Sequence, residues 1–158
     1  YAFGIGQDTR YFNGILENLT LLGLHLEDLF IDNLLPGYQE METGDNKNFV
    51  KNARMGIAEL QKRFSRVKGS NNLPVFLTSY DVYMAVMKEG EKLYPASGIY
   101  KIQTEIPIPA SKNMLGRPLI PLFRHKKYEL NEHEAYSNHI IKYLFCSCPT
   151  DNINSLVK

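Results

Sequence analysis

Tryptophan is missing from this chain, and cysteine is nearly so: Cys146 and Cys148, one residue apart, are the two present. Two thiols at that spacing make no disulfide framework and are compatible with a reducing compartment. No apolar run reaches membrane-spanning length. The longest candidate, LTLLGLHLEDLF, is interrupted by His25, Glu27 and Asp28. A formal net charge of +1 gives no whole-molecule field to attract nucleic acid. The first ten residues, YAFGIGQDTR, hold no Met, no basic leader and no apolar core, so no signal peptide is expected there. The missing Met and the abrupt SLVK fit a piece of a longer chain.

The signatures of chemistry are scarce too. No serine stands in G-x-S-x-G, and no glycine-rich loop ends in Gly-Lys-Ser or Gly-Lys-Thr. GIG at Gly4 to Gly6 is half a dinucleotide fingerprint, with Thr9 where the third glycine would fall. His133 and His139 are six apart, whereas a helical zinc-protease motif needs four, so HEAYSNH reads as a solvated loop. Cys146 and Cys148 read as two buried thiols on one face of a strand, His25 as a helix-surface or boundary residue. The expectation is a protein with no catalytic residue, cofactor, metal or small-molecule substrate.

What is present is pattern. At 158 residues the chain has the length of a single domain, 1–158. A domain of that size buries roughly two-thirds of its unfolded surface, enough for a core without metal or disulfide. Charge divides it into three stretches. Residues 1–46 are acidic, with Glu17, Glu27, Asp28, Asp32, Glu40, Glu42 and Asp45 outnumbering Arg10. Residues 47–68 are basic: Lys47, Lys51, Arg54, Lys62, Arg63, Arg66 and Lys68 face Glu59. Residues 73–158 hold a strand–helix–sheet part. Such asymmetry points to surfaces that meet other surfaces.

Apolar positions from Phe12 to Phe30 recur at helical spacing and predict a first helix over about 11–35, weakened by Gly14 and Gly23 and stopped by Pro36-Gly37. Val50, Ala53, Ile57, Leu60, Phe64 and Val67 predict a second, over about 48–67, ended by GSNN. Val75 to Leu77 reads as a short buried strand. Thr78, with Asp81 three residues on, reads as the cap of a third helix that Gly90 ends. GIYKIQTEIPIP alternates strictly and predicts a half-buried edge strand. NMLGRPLIPLF predicts a turn at Gly116 and another edge strand, RHKKYELNEHEAYSN a polar loop, and HIIKYLFCSC a buried strand closed by PTDN. The class is α+β: two helices leading into a mixed or antiparallel sheet with a further short helix.

The order of these pieces resembles the major capsid proteins of tailed phages with the Hong Kong 97-like fold. The residues carrying the likeness are FNGILENL (Phe12 to Leu19), FVKNARMGIAELQKRF (Phe49 to Phe64), LPVFLTSYDVYMAVM (Leu73 to Met87), MLGRPLIPL (Met114 to Leu122) and YLFCSCPTDNINSL (Tyr143 to Leu156). Those subunits also carry an N-terminal arm and an extended loop, which are not evident here, and CSCP is not part of their pattern. The resemblance implies a structural virion protein that assembles in the host cytoplasm. Its partners would be copies of itself and other virion proteins, with electrostatic contact to packaged nucleic acid.

Two features fit that role. Tyr11, Tyr38, Tyr80, Tyr83, Tyr94 and Tyr136 could supply amphipathic contact area at subunit interfaces. Pro107, Pro109, Pro118 and Pro121 remove strand donors and so discourage unplanned edge pairing. The competing reading is a nucleic-acid-associated module whose contacts are Lys51, Arg54, Lys62, Arg63 and Arg66. The same five are the candidate interface residues of the shell reading.

Overall fold

The computed structural model describes residues 9–35, 47–67 and 72–146. The GIG motif, Pro36-Gly37, most of the METGDNKN turn, most of GSNN, Tyr38, Cys148 and the PTDN closure lie outside them, and the Tyr11 side chain is likewise not described. The described residues form five α-helices and a two-stranded sheet, as α+β requires: α1 (Thr9–Leu21), α2 (Phe49–Phe64), β1 (Val75–Leu77), α3 (Tyr80–Val86), α4 (Ala96–Tyr100), β2 (Leu119–Pro121) and α5 (Glu134–Cys146).

The first helix stops fourteen residues short of the predicted end at 35, and Gly23 is the reason. Its φ is +68°, the left-handed conformation that closes helices. The Leu24 amide donates to the Leu19 carbonyl at 2.9 Å and the Gly23 amide to that of Thr20 at 3.0 Å, the two bonds of a Schellman motif. The leucine-rich remainder runs on as a single 3-10 turn (Leu26–Asp28) and extended chain that crosses α2 at Leu34.

The second helix keeps its expected face. Phe49, Ala53, Ile57 and Leu60 are buried, and α2 packs on α3. Leucine, isoleucine or phenylalanine side chains buried this way contribute about 1.5–3 kcal/mol each. The cap of α3 is shifted by one residue from Thr78: the Ser79 hydroxyl accepts from the Val82 amide at 3.2 Å, since it stands three residues before that amide.

β1 and β2 pair in parallel, Val75 opposite Leu119 and Leu77 opposite Pro121, because α3 and α4 lie in the crossover between them. The antiparallel expectation holds at two isolated bridges: Leu119 also exchanges both backbone bonds with Ile108, at 2.8 and 3.0 Å, and Met87 pairs with Asn113.

The predicted strand at 98–109 is therefore corrected. Its first residues form the one-turn helix α4, begun after Pro95 and ended by a second Schellman motif with Ile102 at φ +55°. There the Gln103 amide donates to Gly98 and the Ile102 amide to Ile99, both at 2.9 Å. Burial still alternates from Tyr100 to Ile108, the even-numbered side chains lying deeper and Ile106 and Ile108 fully buried, but the only ladder pairing among these residues is the bridge at Ile108.

The last predicted strand is a helix. α5 starts at Glu134, inside the expected polar loop, and Tyr136, Ser137 and Ile140 are its buried residues, at spacings of one and three. The rest of that loop is two 3-10 turns, Lys126–Tyr128 and Leu130–Glu132.

Buried polar groups fix the irregular parts. Asn113 is 1 % exposed and makes four hydrogen bonds. It donates to the Pro109 and Arg117 carbonyls, both at 2.8 Å, and accepts from the Leu115 and Gly116 amides, both at 3.0 Å. All its donors and lone pairs are thus used. Asn18 accepts from the Leu130 amide at 2.9 Å and ties α1 to the turn before α5.

Of the six tyrosines expected at interfaces, the four that are described contribute inside the molecule. Tyr83 and Tyr136 are buried, and Tyr80 and Tyr94 half-buried. The Tyr136 hydroxyl donates to the Pro121 carbonyl at 2.6 Å, and the Tyr100 hydroxyl accepts from the Phe123 amide at 2.8 Å. These two rings stack with centroids 4.4 Å apart. The Tyr80 hydroxyl donates to the Tyr94 carbonyl, and the Tyr83 hydroxyl accepts from the Tyr94 amide, both at 3.1 Å. Each phenol satisfies a backbone group that no helix or strand would pair.

Candidate interaction surface

The five basic residues read as one set in the sequence do not share one surface. Lys51, Lys62 and Arg66 are exposed. Arg54 is turned inward. Its Nη2 donates to the Met87 carbonyl at 3.5 Å, at the C-terminal end of α3 where a cation offsets the helix dipole. Its Nε is buried without a hydrogen-bond partner among the described residues.

Arg63 is also spent internally. Its Nε lies 2.5 Å from the Asp32 carboxylate and its Nη2 donates to the Asn33 carbonyl at 3.1 Å. So part of the charge asymmetry between the first two stretches is resolved within one molecule. The basic helix pins the acidic segment across its own surface.

What remains outward on α2 is a stripe. Lys51, Met55, Ala58 and Lys62 are all exposed and follow one another at four, three and four residues, the spacing of a single helix face. Met55 is 73 % exposed at its centre. Glu59 shares this side and sits 3.3 Å from Lys62.

Where α2 ends, at Phe64 and just beyond it at Val67, lies a feature the sequence reading missed. An apolar groove of about 310 Å³ opens between the 24–32 segment, the strand entrance and α5. Leu26, Leu29, Phe30, Leu73, Phe76 and Leu144 are among its walls. Phe30 and Leu73 stand 54 % and 49 % exposed, and Phe145 at the end of α5 is 56 % exposed. The ring of Phe30 meets Phe64 edge-on at 6.1 Å, and the Arg117 guanidinium lies 5.0 Å from the Phe64 ring centroid. Burial lowers the pKa of Arg117 from its ordinary value. The available signal was the density of leucine between Leu19 and Leu35. It exceeds what one face of a helix can bury, so some of it has to face outward.

A second, polar crevice of about 450 Å³ lies between Tyr83, Tyr94, Gln103 and Thr104. Its cations are engaged: Lys112 pairs with Glu105 at 3.5 Å, and Lys92 sits 4.6 Å from the Tyr94 ring centroid.

The histidines and cysteines stand apart. Cys146 is an exposed free thiol ending α5, so the buried-strand reading does not hold for it. His139 is half-buried, its Nε2 bonded to the Ile106 carbonyl at 2.6 Å. His133, half-buried just before α5, bonds through Nε2 to the Lys127 carbonyl at 2.9 Å. His25 is exposed at the start of a 3-10 turn. Among the described residues, no three His, Cys, Asp or Glu side chains gather closely enough to hold a metal, and no helix is long and apolar enough to cross a membrane.

Comparison with protein-family models, curated proteins and solved structures found no match, so geometry and chemistry carry the functional argument.

Proposed function

We propose that this chain is a structural, self-assembling subunit of a virion shell of the tailed-phage kind, or a large piece of one. The observation that carries the reading is the open apolar groove with Phe30 and Leu73 half-exposed at its edge. An apolar recess rimmed by polar residues is the kind of surface that accepts an apolar group, whether from a protein segment or a ligand. The segments Phe12 to Leu19, Phe49 to Phe64 and Leu73 to Met87, which resemble the capsid family in sequence, favour the same reading, whereas the stretch from Tyr143 that was expected as a closing strand ends helix α5 instead. So does the way buried amides and phenols fix irregular backbone, because a shell subunit must hold its outer surfaces rigid against repeated neighbours.

Sedimentation velocity and negative-stain microscopy across a concentration series test the proposal. Multimers growing with concentration, closed or sheet-like in images, are the expected result. A well-folded protein that stays monomeric at the highest attainable concentration overturns it.

The nucleic-acid reading now rests on Lys51, Lys62 and Arg66, the outward members of the basic set. It requires DNA binding whose affinity falls with salt, with a log–log slope that flattens when these three are neutralised.

A further inference from the structure

We propose that the outward stripe of α2 on one copy seats in the apolar groove of a second copy, with Met55 as the anchor. The inference rests on the self-assembly reading and names the contact through which it occurs. Two observations lead to it.

The first is charge. On the stripe side, Lys51, Lys62 and Arg66 face Glu59, an excess of positive charge. Among the described residues, the charged groups lining the groove are Asp28 and Asp32 against Arg117, with Glu27 next to Asp28 in sequence and Arg63 paired with Asp32. Arg63 is taken by Asp32, and Arg117 is drawn over Phe64. With Asp32 and Arg63 cancelling, the exposed Glu27 and Asp28 outnumber Arg117, so the lip of the groove is net acidic by one charge among the described residues. A basic face meeting an acidic lip sets register and orientation, and disfavours stripe-on-stripe or groove-on-groove contacts.

The second is shape. Met55 is an unbranched, adaptable side chain projecting from the middle of a regular helix, the kind that fills an irregular apolar recess. An amphipathic helix face laid into a groove is a common recognition mode. The stripe and the groove are different surfaces of one chain, so the contact is head-to-tail. Each copy keeps a free stripe and a free groove, and such contacts propagate into rings or open arrays.

Charge exchange provides the test, read by sedimentation velocity on the full chain. Lys51→Glu with Lys62→Glu reverses the stripe, and Glu27→Lys with Asp28→Lys reverses the lip. Each reversed protein alone is expected to self-associate at least tenfold more weakly than the parent. An equimolar mixture of the two is expected to recover association, because each supplies the surface the other can accept. Met55→Gln, which alters no charge at an exposed position, is expected to weaken association by a similar factor, and far-UV circular dichroism checks that every variant keeps its helices. If the parent associates and all three variants match it, this contact is wrong while self-assembly stands. If the mixture fails to recover what the separate reversals lost, the pairing of stripe with lip is overturned. A parent that never associates overturns both proposals.

Discussion

Gly14, Gly23 and Gly56 all lie in or just after helices, yet replacing each with alanine is expected to shift stability differently. Gly14 is inside α1, and a Cβ built there meets nothing within 4 Å. Alanine should stabilise by about 0.5–1 kcal/mol, the ordinary helix-interior difference. Gly23 holds φ +68°, and an added Cβ would touch the Phe145 ring at 3.5 Å, an ordinary contact. The cost there is conformational, about 1–2 kcal/mol for an L-residue in the left-handed region. Gly56 is inside α2, where propensity again favours alanine, but a Cβ would stand 3.1 Å from the Leu34 carbonyl oxygen. That carbonyl cannot easily retreat, because Arg63 holds Asp32 and Asn33 just before it. Gly56→Ala should therefore lose the propensity gain and come out neutral to about 1 kcal/mol destabilising. Combining it with Arg63→Ala should yield a non-additive double mutant, the released segment making room.

Urea unfolding followed by far-UV circular dichroism measures all of this, using midpoints compared at unchanged slope. In a domain of this size 1 kcal/mol moves the melting temperature by about 2–4 °C, so heat unfolding is an independent check. The decisive comparison is Gly14 with Gly23. If alanine at Gly23 stabilises as much as it does at Gly14, the Schellman closure of α1 is wrong, and the groove that depends on the chain turning there is wrong with it.

Asn113→Leu should cost about 3 kcal/mol or more in urea unfolding, since two carbonyls and two amides lose their partners together. Asn113→Asp should be at least as harmful near neutral pH and partly recover in acid, because a carboxylate would face the Pro109 and Arg117 carbonyls. A loss under 1 kcal/mol in both variants would refute that role. Tyr136→Phe leaves the Pro121 carbonyl without this bond and should cost about 1–2 kcal/mol, whereas Tyr80→Phe, at a half-buried site, should cost less. Burial raises the pKa of Tyr100 and Tyr136 above the ordinary phenol value, so the folded state keeps protons that the unfolded chain gives up near pH 10. Stability should then be level with respect to these groups below about pH 10 and fall as pH rises beyond it, because there the folded state binds more protons. A urea midpoint that stays flat from pH 9 to 11.5 would contradict this.

How much of the molecule could be read from its residues turns on which local signal controls each segment. α2 was legible because five of its apolar residues, Val50, Ala53, Ile57, Leu60 and Phe64, keep helical spacing and the tertiary structure uses that face. β1 was bounded by Pro74 and by the cap that follows it, and the glycine turn at Gly116, φ +67°, lay where expected. Two segments were misread because a pattern was followed past its boundary. HIIKYLFCSC looks like a buried strand if it begins at His139. From Glu134, the spacing of Tyr136 to Ile140 to Leu144 is helical, and the polar residues before them are the helix's first turn. GIYKIQTEIPIP alternates by eye, yet Pro95 starts a helix and Ile102 takes a conformation usually reserved for glycine.

The five basic residues divide between inward and outward positions for a related reason. Lys51, Arg54, Lys62, Arg63 and Arg66 were grouped by charge alone, and charge does not say which way a side chain points. On a helix, three residues to the C-terminal side of Lys51 is already Arg54, which reaches the end of α3, while four residues on is Met55, which faces solvent. The difference between an internal brace and an external contact is thus a matter of one residue of helical phase. The groove has the same origin. Once Gly23 ends α1, the leucines after it leave the helical register, and the leucine-rich run becomes one wall of an open recess instead of the stripe of a longer helix. A single left-handed glycine therefore both ends the predicted helix and creates the surface through which we propose the protein meets its copies.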